Sequence, residues 1–215
     1  MALVKICGIT NLADALACVE AGADMLGFNF YRRSPRYIEP RAARRIIEGL
    51  PQGVQTVGVF VNEETPERVA ELADTAGVAA VQLHGDEAED YCRALSGRFV
   101  IKALRVADDF APERATCCGA EAVLLDGFSR TAYGGTGKTF DWSLARATRA
   151  VVPHLFLAGG LDQENVAAAV RFVRPYAVDA CSLLESAPGV KDERRVRAFI
   201  AAVRGACYGE GAEGK

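Results

Sequence analysis

The chain has 215 residues, half of them hydrophobic, with 25 basic against 28 acidic side chains and a formal net charge of −3. That length supports one large domain with a real core, or two small ones. The near balance of charge supplies no electrostatic reason to seek nucleic acid or an acidic membrane surface. Neither a charged-then-apolar leader nor an apolar run long enough to span a bilayer is seen, so a soluble, cytoplasmic protein is expected.

In chain order, short apolar runs alternate with helical patterns. Strands are expected at Leu3–Cys7, Met25–Phe30, Thr56–Val61, Ala80–Leu83, Phe99–Leu104, Ala122–Asp126, Leu155–Ala158 and Ala177–Asp179. The first helix starts near Thr10 or Asn11, carries Leu12, Leu16 and Val19 on one face, and stops at Gly22. Further helices are expected near 41–49, 66–75, 87–95, 112–117, 141–149 and 163–173, the one at 112–117 weakly patterned. The last has Val196, Phe199, Ile200 and Val203 on one stripe after Asp192 as N-cap.

A faint repeat supports this layout. "AGADMLGF", "AGVAAVQL" and "CGAEAVLL" each read as helix end, glycine turn and buried strand. The strands are continuous apolar runs, as buried parallel strands are. Eight such units imply a (β/α)8 TIM barrel over residues 1–205, an α/β fold; an open doubly wound sheet is the competing layout. The glycine- and charge-rich tail, 206–215, is expected to fray.

In a barrel, chemistry belongs where strands end, at the carboxyl face. Cys7 ends the first strand and Asp126 the sixth. Alone, Cys7 reads as a core residue and Asp126 as a turn former; together on one barrel face they could flank a ligand. A free thiol has a pKa of about 8.5, so base work needs a field favouring thiolate, to which Lys5, of the same strand parity, could contribute. A carboxylic acid among apolar walls could donate the matching proton.

The remaining candidates each carry a bland alternative. Gly159-Gly160 before Asp162 is either a tight turn or a phosphate cradle, and the loops after strands seven and eight favour phosphate. The eighth strand ends in "DACS", with Asp179 and a possible hydroxyl donor, Ser182. The loop holding Arg32, Arg33 and Arg36 is a solvated basic loop or the source of an arginine fork for a planar carboxylate. His84 is a ligand contact or a satisfied polar residue. "AYGGTGKT" is not a nucleotide loop, because position 132 is Ala where that motif needs glycine; Gly134, Gly135 and Gly137 read as a loop over the site.

The seven cysteines (Cys7, Cys18, Cys92, Cys117, Cys118, Cys181 and Cys207) form no C-x-x-C pair, and only His84 and His154 accompany them. A Cys/His metal site is therefore not expected, and most of the thiols should be buried in a reducing compartment.

Taken together, "KICGIT", "GFNFYRRSPRYI", "VGVFVN", "VQLHGDE", "GGTGKTFDW", "LAGGLDQENV" and "ESAPGVKD" resemble the phosphoribosylanthranilate isomerases of tryptophan biosynthesis. The resemblance runs from residue 3 to about 204. It implies a single barrel, no metal or organic cofactor, a monomer or homodimer, and an Amadori rearrangement of N-(5′-phosphoribosyl)anthranilate. It further implies Asp126 as general acid, Cys7 as general base, Arg36 on the anthranilate carboxylate, and Gly159, Gly160 and Ser182 on the phosphate; His84 and Asp179, from their places at strand ends, are further expected substrate contacts.

Two positions depart from the family's usual Asp-x-Ser-Ser-Gly-x-Glu: Cys181 replaces a serine and Leu183 a glycine. The expectation is a shifted phosphate loop that still binds through N–H groups and Ser182. Two rivals stand beside this reading: a histidine-pathway aminoaldose isomerase, against which Cys7 argues, and a non-catalytic phosphosugar-binding barrel.

Overall fold

Eight parallel strands, each hydrogen-bonded to the next and the last to the first, form a closed barrel in the computed structural model. The structure describes residues 1–107, 109–127 and 140–206. The Gly134, Gly135 and Gly137 loop, Cys207 and the tail from 207 lie outside the described residues.

The strands are β1 (Leu3–Cys7), β2 (Met25–Asn29), β3 (Gln55–Phe60), β4 (Ala80–Leu83), β5 (Phe99–Val106), β6 (Ala122–Gly127), β7 (Leu155–Leu157) and β8 (Ala177–Ala180). The helices are α1 (Leu12–Glu20), α2 (Pro40–Glu48), α3 (Pro66–Ala76), α4 (Glu89–Arg93), α5 (Trp142–Val151), α6 (Val166–Val173) and α7 (Glu193–Gly205). A short antiparallel hairpin, β9 (Glu185–Ala187) and β10 (Val190–Lys191), follows β8.

Strand parity creates two cores. Met25, Val57, Ile101, Leu124 and Phe156 point inward and fill the barrel. Val4, Ile6, Leu26, Phe28, Val81, Leu83 and Val100 point outward and pack with Val69, Ala145, Val170 and Phe199 from the helices. Most strand positions are thus apolar on both faces, which explains the unbroken runs.

Local rules position the helices. Asn11, Thr65, Asp141 and Asp192 each accept a backbone N–H from the first turn of the helix they precede. Pro40 and Pro66 stand at first helical positions, where no N–H is needed.

Three expectations shift. Residues 112–117 form a 3-10 helix rather than an α-helix. The helix expected from 163 begins at Val166, because the Asp162 carboxylate accepts the N–H groups of Glu164 and Asn165 and closes a separate turn first. α4 is only five residues long and its N-cap, Ala88, makes no side-chain cap.

Candidate active site

The site is built at the carboxyl ends of the strands. Cys7 closes β1 and is 9% exposed. Lys5, two residues earlier on the same face, is fully buried, and its Nζ donates to Asp179 Oδ1 at 2.9 Å. Gly27 is Cys7's register partner on β2. A Cβ on Gly27 would stand 2.7 Å from Cys7 Sγ and 3.1 Å from Lys5 Nζ, so the missing side chain makes room for both groups.

The surroundings favour the Cys7 thiolate. Its pKa lies well below the ordinary thiol value, first because of the neighbouring Cys181 thiol and then through the charges of Lys5 and Lys191, with burial opposing. Burial works against the Lys5 ammonium, but the charges of Asp179 and Cys7 outweigh it and hold its pKa above the usual lysine value. Burial pushes the Asp179 carboxyl up to about 7 against the pull of Lys5. These two shifts pull in opposite senses; the 2.9 Å contact to an ammonium decides for the ion pair above neutral pH.

Across the mouth, Asp126 lies near the end of β6, 5% exposed and in line with the inward-facing Ala122 and Leu124. His84, just beyond β4, brings its Nε2 to 3.5 Å from Asp126 Oδ2, without the geometry of a hydrogen bond. The Gln82 amide lies 2.8 Å from His84 Nδ1; with its nitrogen as donor, the ring's N–H is Nε2, facing Asp126. His84 and Asp126 are thus brought together, whereas His154 sits before β7, at the opposite end of the barrel, edge-on to Tyr176.

Of the three loop arginines, Arg32 stacks over Tyr37 and Arg33 is exposed. Arg36 turns toward the site. Its Nε donates to both Glu185 oxygens at 2.9 and 3.0 Å and its Nη2 donates to Oε2 at 2.8 Å, while Nη1 takes no part in this fork. Lys191 Nζ holds Glu185 Oε1 at 2.9 Å from the other side. The two cations keep Glu185 below the usual carboxylate range although burial opposes them. Glu185, Lys191 and Gln82 were not singled out by sequence; the Pro-Gly step in "ESAPGVK" is the one signal that marks the hairpin carrying the first two.

The loops after β7 and β8 leave neighbouring strands. Gly159 and Gly160 have φ of 82° and 64°, left-handed conformations that glycine adopts without a Cβ penalty. Asn165 Nδ2 donates to Gly160 O at 2.7 Å and closes the turn. Ser182 opens a 3-10 turn, Ser182–Leu184. Leu183 is not among the positive-φ residues, so its backbone carries none of the strain that leucine in a glycine conformation would bring.

Comparison with known proteins places this geometry. The family model "N-(5'phosphoribosyl)anthranilate (PRA) isomerase" matches residues 4–202. The N-(5′-phosphoribosyl)anthranilate isomerase of Geobacter sulfurreducens is 52% identical over 205 residues, 95% of this chain and 100% of the relative. A solved structure of generated monomers of the dimeric phosphoribosylanthranilate isomerase from Thermotoga maritima superposes with a TM-score of 0.85 at 47% identity, covering 95% of this chain and 100% of that one. Another, in complex with reduced 1-(o-carboxyphenylamino)-1-deoxyribulose 5-phosphate, gives 0.83 at 44% identity, with coverage of 95% and 100%. A thiol and a carboxyl at the mouth of one closed barrel, on a chain matched over almost its full length, lead to one conclusion: this protein belongs to the phosphoribosylanthranilate isomerase family.

Proposed function

We propose that this chain catalyses the isomerisation of N-(5′-phosphoribosyl)anthranilate to 1-(2-carboxyphenylamino)-1-deoxyribulose 5-phosphate, with Asp126 as general acid and Cys7 as general base. The reaction is an Amadori rearrangement of tryptophan biosynthesis and needs two proton transfers on one sugar. Asp126 gives its proton to the furanose oxygen, the C1′–O bond breaks, and the nitrogen lone pair forms the iminium. The Cys7 thiolate then removes the C2′ proton, and those electrons neutralise the iminium to give an enolamine. Tautomerisation of the enolamine yields the ketone. Each proton-transfer role contributes about 10²–10⁴-fold in such chemistry.

The observation that carries this reading is the Cys7 thiol at the end of β1, two residues after the buried Lys5 ammonium, on the same barrel mouth as the Asp126 carboxyl. Arg36 receives the anthranilate carboxylate through the edge that Glu185 does not occupy. The glycine turn at 159–160 and Ser182 receive the phosphate, a placement supported by left-handed backbone at both glycines. His84 and Asp179 complete the wall around the sugar. The enzyme works in the cytoplasm, a reading supported by six described thiols that are all free. Its working unit is one chain or a homodimer, which light scattering distinguishes.

The test follows anthranilate fluorescence during turnover. Wild-type enzyme should change the signal, and Cys7→Ala and Asp126→Ala should each lose at least about 10²-fold in kcat. Undiminished turnover in either variant removes the role assigned to that residue.

A further inference from the structure

We infer that Glu185, held by Lys191, is a positioning residue for Arg36: it grips one edge of the guanidinium and turns the other edge to the carboxylate on the substrate's aromatic ring. The β9–β10 hairpin thereby sets selectivity for a carboxylated arylamine. The inference rests on the reading of Arg36 as the anthranilate site and deepens it.

A guanidinium is planar and presents its N–H groups in fixed directions. Glu185 takes the edge made by Nε and Nη2, with contacts of 2.8 to 3.0 Å. Bonds from two nitrogens fix the plane of the group as well as its direction. Nη1 has no hydrogen-bond partner among the described residues, so the edge it forms with the outer N–H of Nη2 is left for a second carboxylate. The stem of Arg36 is confined too. A Cβ on Gly8, the residue after Cys7, would stand 2.8 Å from Arg36 Cδ and 3.4 Å from Glu185 Oε1. The pair therefore sits at the barrel mouth, one residue beyond the base.

Glu185 is itself held in place. Its Oε1 accepts Lys191 Nζ at 2.9 Å, its backbone oxygen accepts Arg195 Nη1 at 2.8 Å, and its backbone N–H donates to Ser182 O. The Glu185 and Lys191 side chains are buried, whereas the Arg36 side chain keeps 15% exposure, as a group that must meet a ligand requires. Charge completes the argument. A lone carboxylate on Arg36 would cancel the cation that an anionic ring needs. Lys191 offsets that carboxylate, so two cations against one anion leave the cluster positive.

The test compares two substrates on the full-length enzyme: N-(5′-phosphoribosyl)anthranilate, and N-(5′-phosphoribosyl)aniline, which lacks the ring carboxylate. Product is measured by chromatography. The readout is the ratio of the two kcat/KM values, in which losses common to both substrates cancel. Arg36→Met should lower that ratio about tenfold or more, the range of a hydrogen bond to a charged group. Glu185→Met removes the acceptor at similar side-chain length and should lower the ratio by a like factor, chiefly through KM for the anthranilate substrate. Glu185→Asp keeps the charge but withdraws it by one methylene from an arginine stem that has no slack at Gly8. It should lower the ratio about threefold or more, and it carries the test if Glu185→Met fails to fold. A wild-type ratio in either folded Glu185 variant overturns the inference; in Glu185→Asp it would mean that charge without placement suffices. An unchanged ratio in Arg36→Met instead overturns the reading of Arg36, whereas a lowered one beside unchanged Glu185 variants overturns the positioning role alone.

Discussion

At Gly27 the missing side chain is the functional feature. A methyl group there would lie 2.7 Å from Cys7 Sγ and 3.1 Å from Cys7 Cα, and the second is backbone that does not yield. The sulfur must therefore move, and a displacement of about 1 Å at a reacting atom costs about 10²-fold in rate. Gly27→Ala is expected to fold, by circular dichroism, and to lose roughly that factor in kcat/KM. Wild-type kcat/KM in this variant would show that the thiol's placement does not govern the rate. "KICG" marked a thiol at a strand end, but nothing in that stretch names Gly27 as the residue that makes space for it.

The helices and turns set how firmly those strand ends are held. Asp192 Oδ1 accepts the N–H groups of Arg194 and Arg195, and α7 then packs Val196, Phe199, Ile200 and Val203 against the barrel. Asp192→Ala removes the acceptor and should destabilise the fold by about 1 kcal/mol, seen as a lower urea midpoint at unchanged slope; an unmoved midpoint would mean the cap is supplied elsewhere. The cap and stripe of α7 were legible because they are local. The hairpin β9–β10 was not, since strands of three and two residues are too short to show a period. The start of α6 was placed three residues early for a related reason: Asp162 is a good cap, but the turn it caps is not the helix.

For the barrel as a whole, the join between the first and last strands is the critical contact. Lys5 and Asp179 are 174 residues apart and form a buried ion pair across it. Lys5→Met leaves a carboxyl in the barrel interior without its cation, at a cost of about 3–5 kcal/mol. The double variant Lys5→Met/Asp179→Leu should recover a large part of that loss in chemical denaturation, because replacing both charges removes the unpaired one. A double variant no more stable than Lys5→Met would show that the pair is not what the single change disrupts. The eightfold alternation was visible in the sequence as buried runs separated by helical stripes. Closure into a ring rather than an open sheet was a choice between two layouts, which the β1–β8 pairing resolves.

By itself the sequence determined which chemical groups stand at strand ends, because apolar runs, turns and caps are decided by neighbours along the chain. It thereby placed Cys7, Asp126, His84 and the glycine pair at the mouth. Only the tertiary structure decided which groups face one another: His84 toward Asp126, Lys5 onto Asp179, and Arg36 onto Glu185 across 149 residues of sequence. Such pairings depend on the stagger of strands around a closed barrel, and that register is set by the packing of the entire ring rather than by any segment of it.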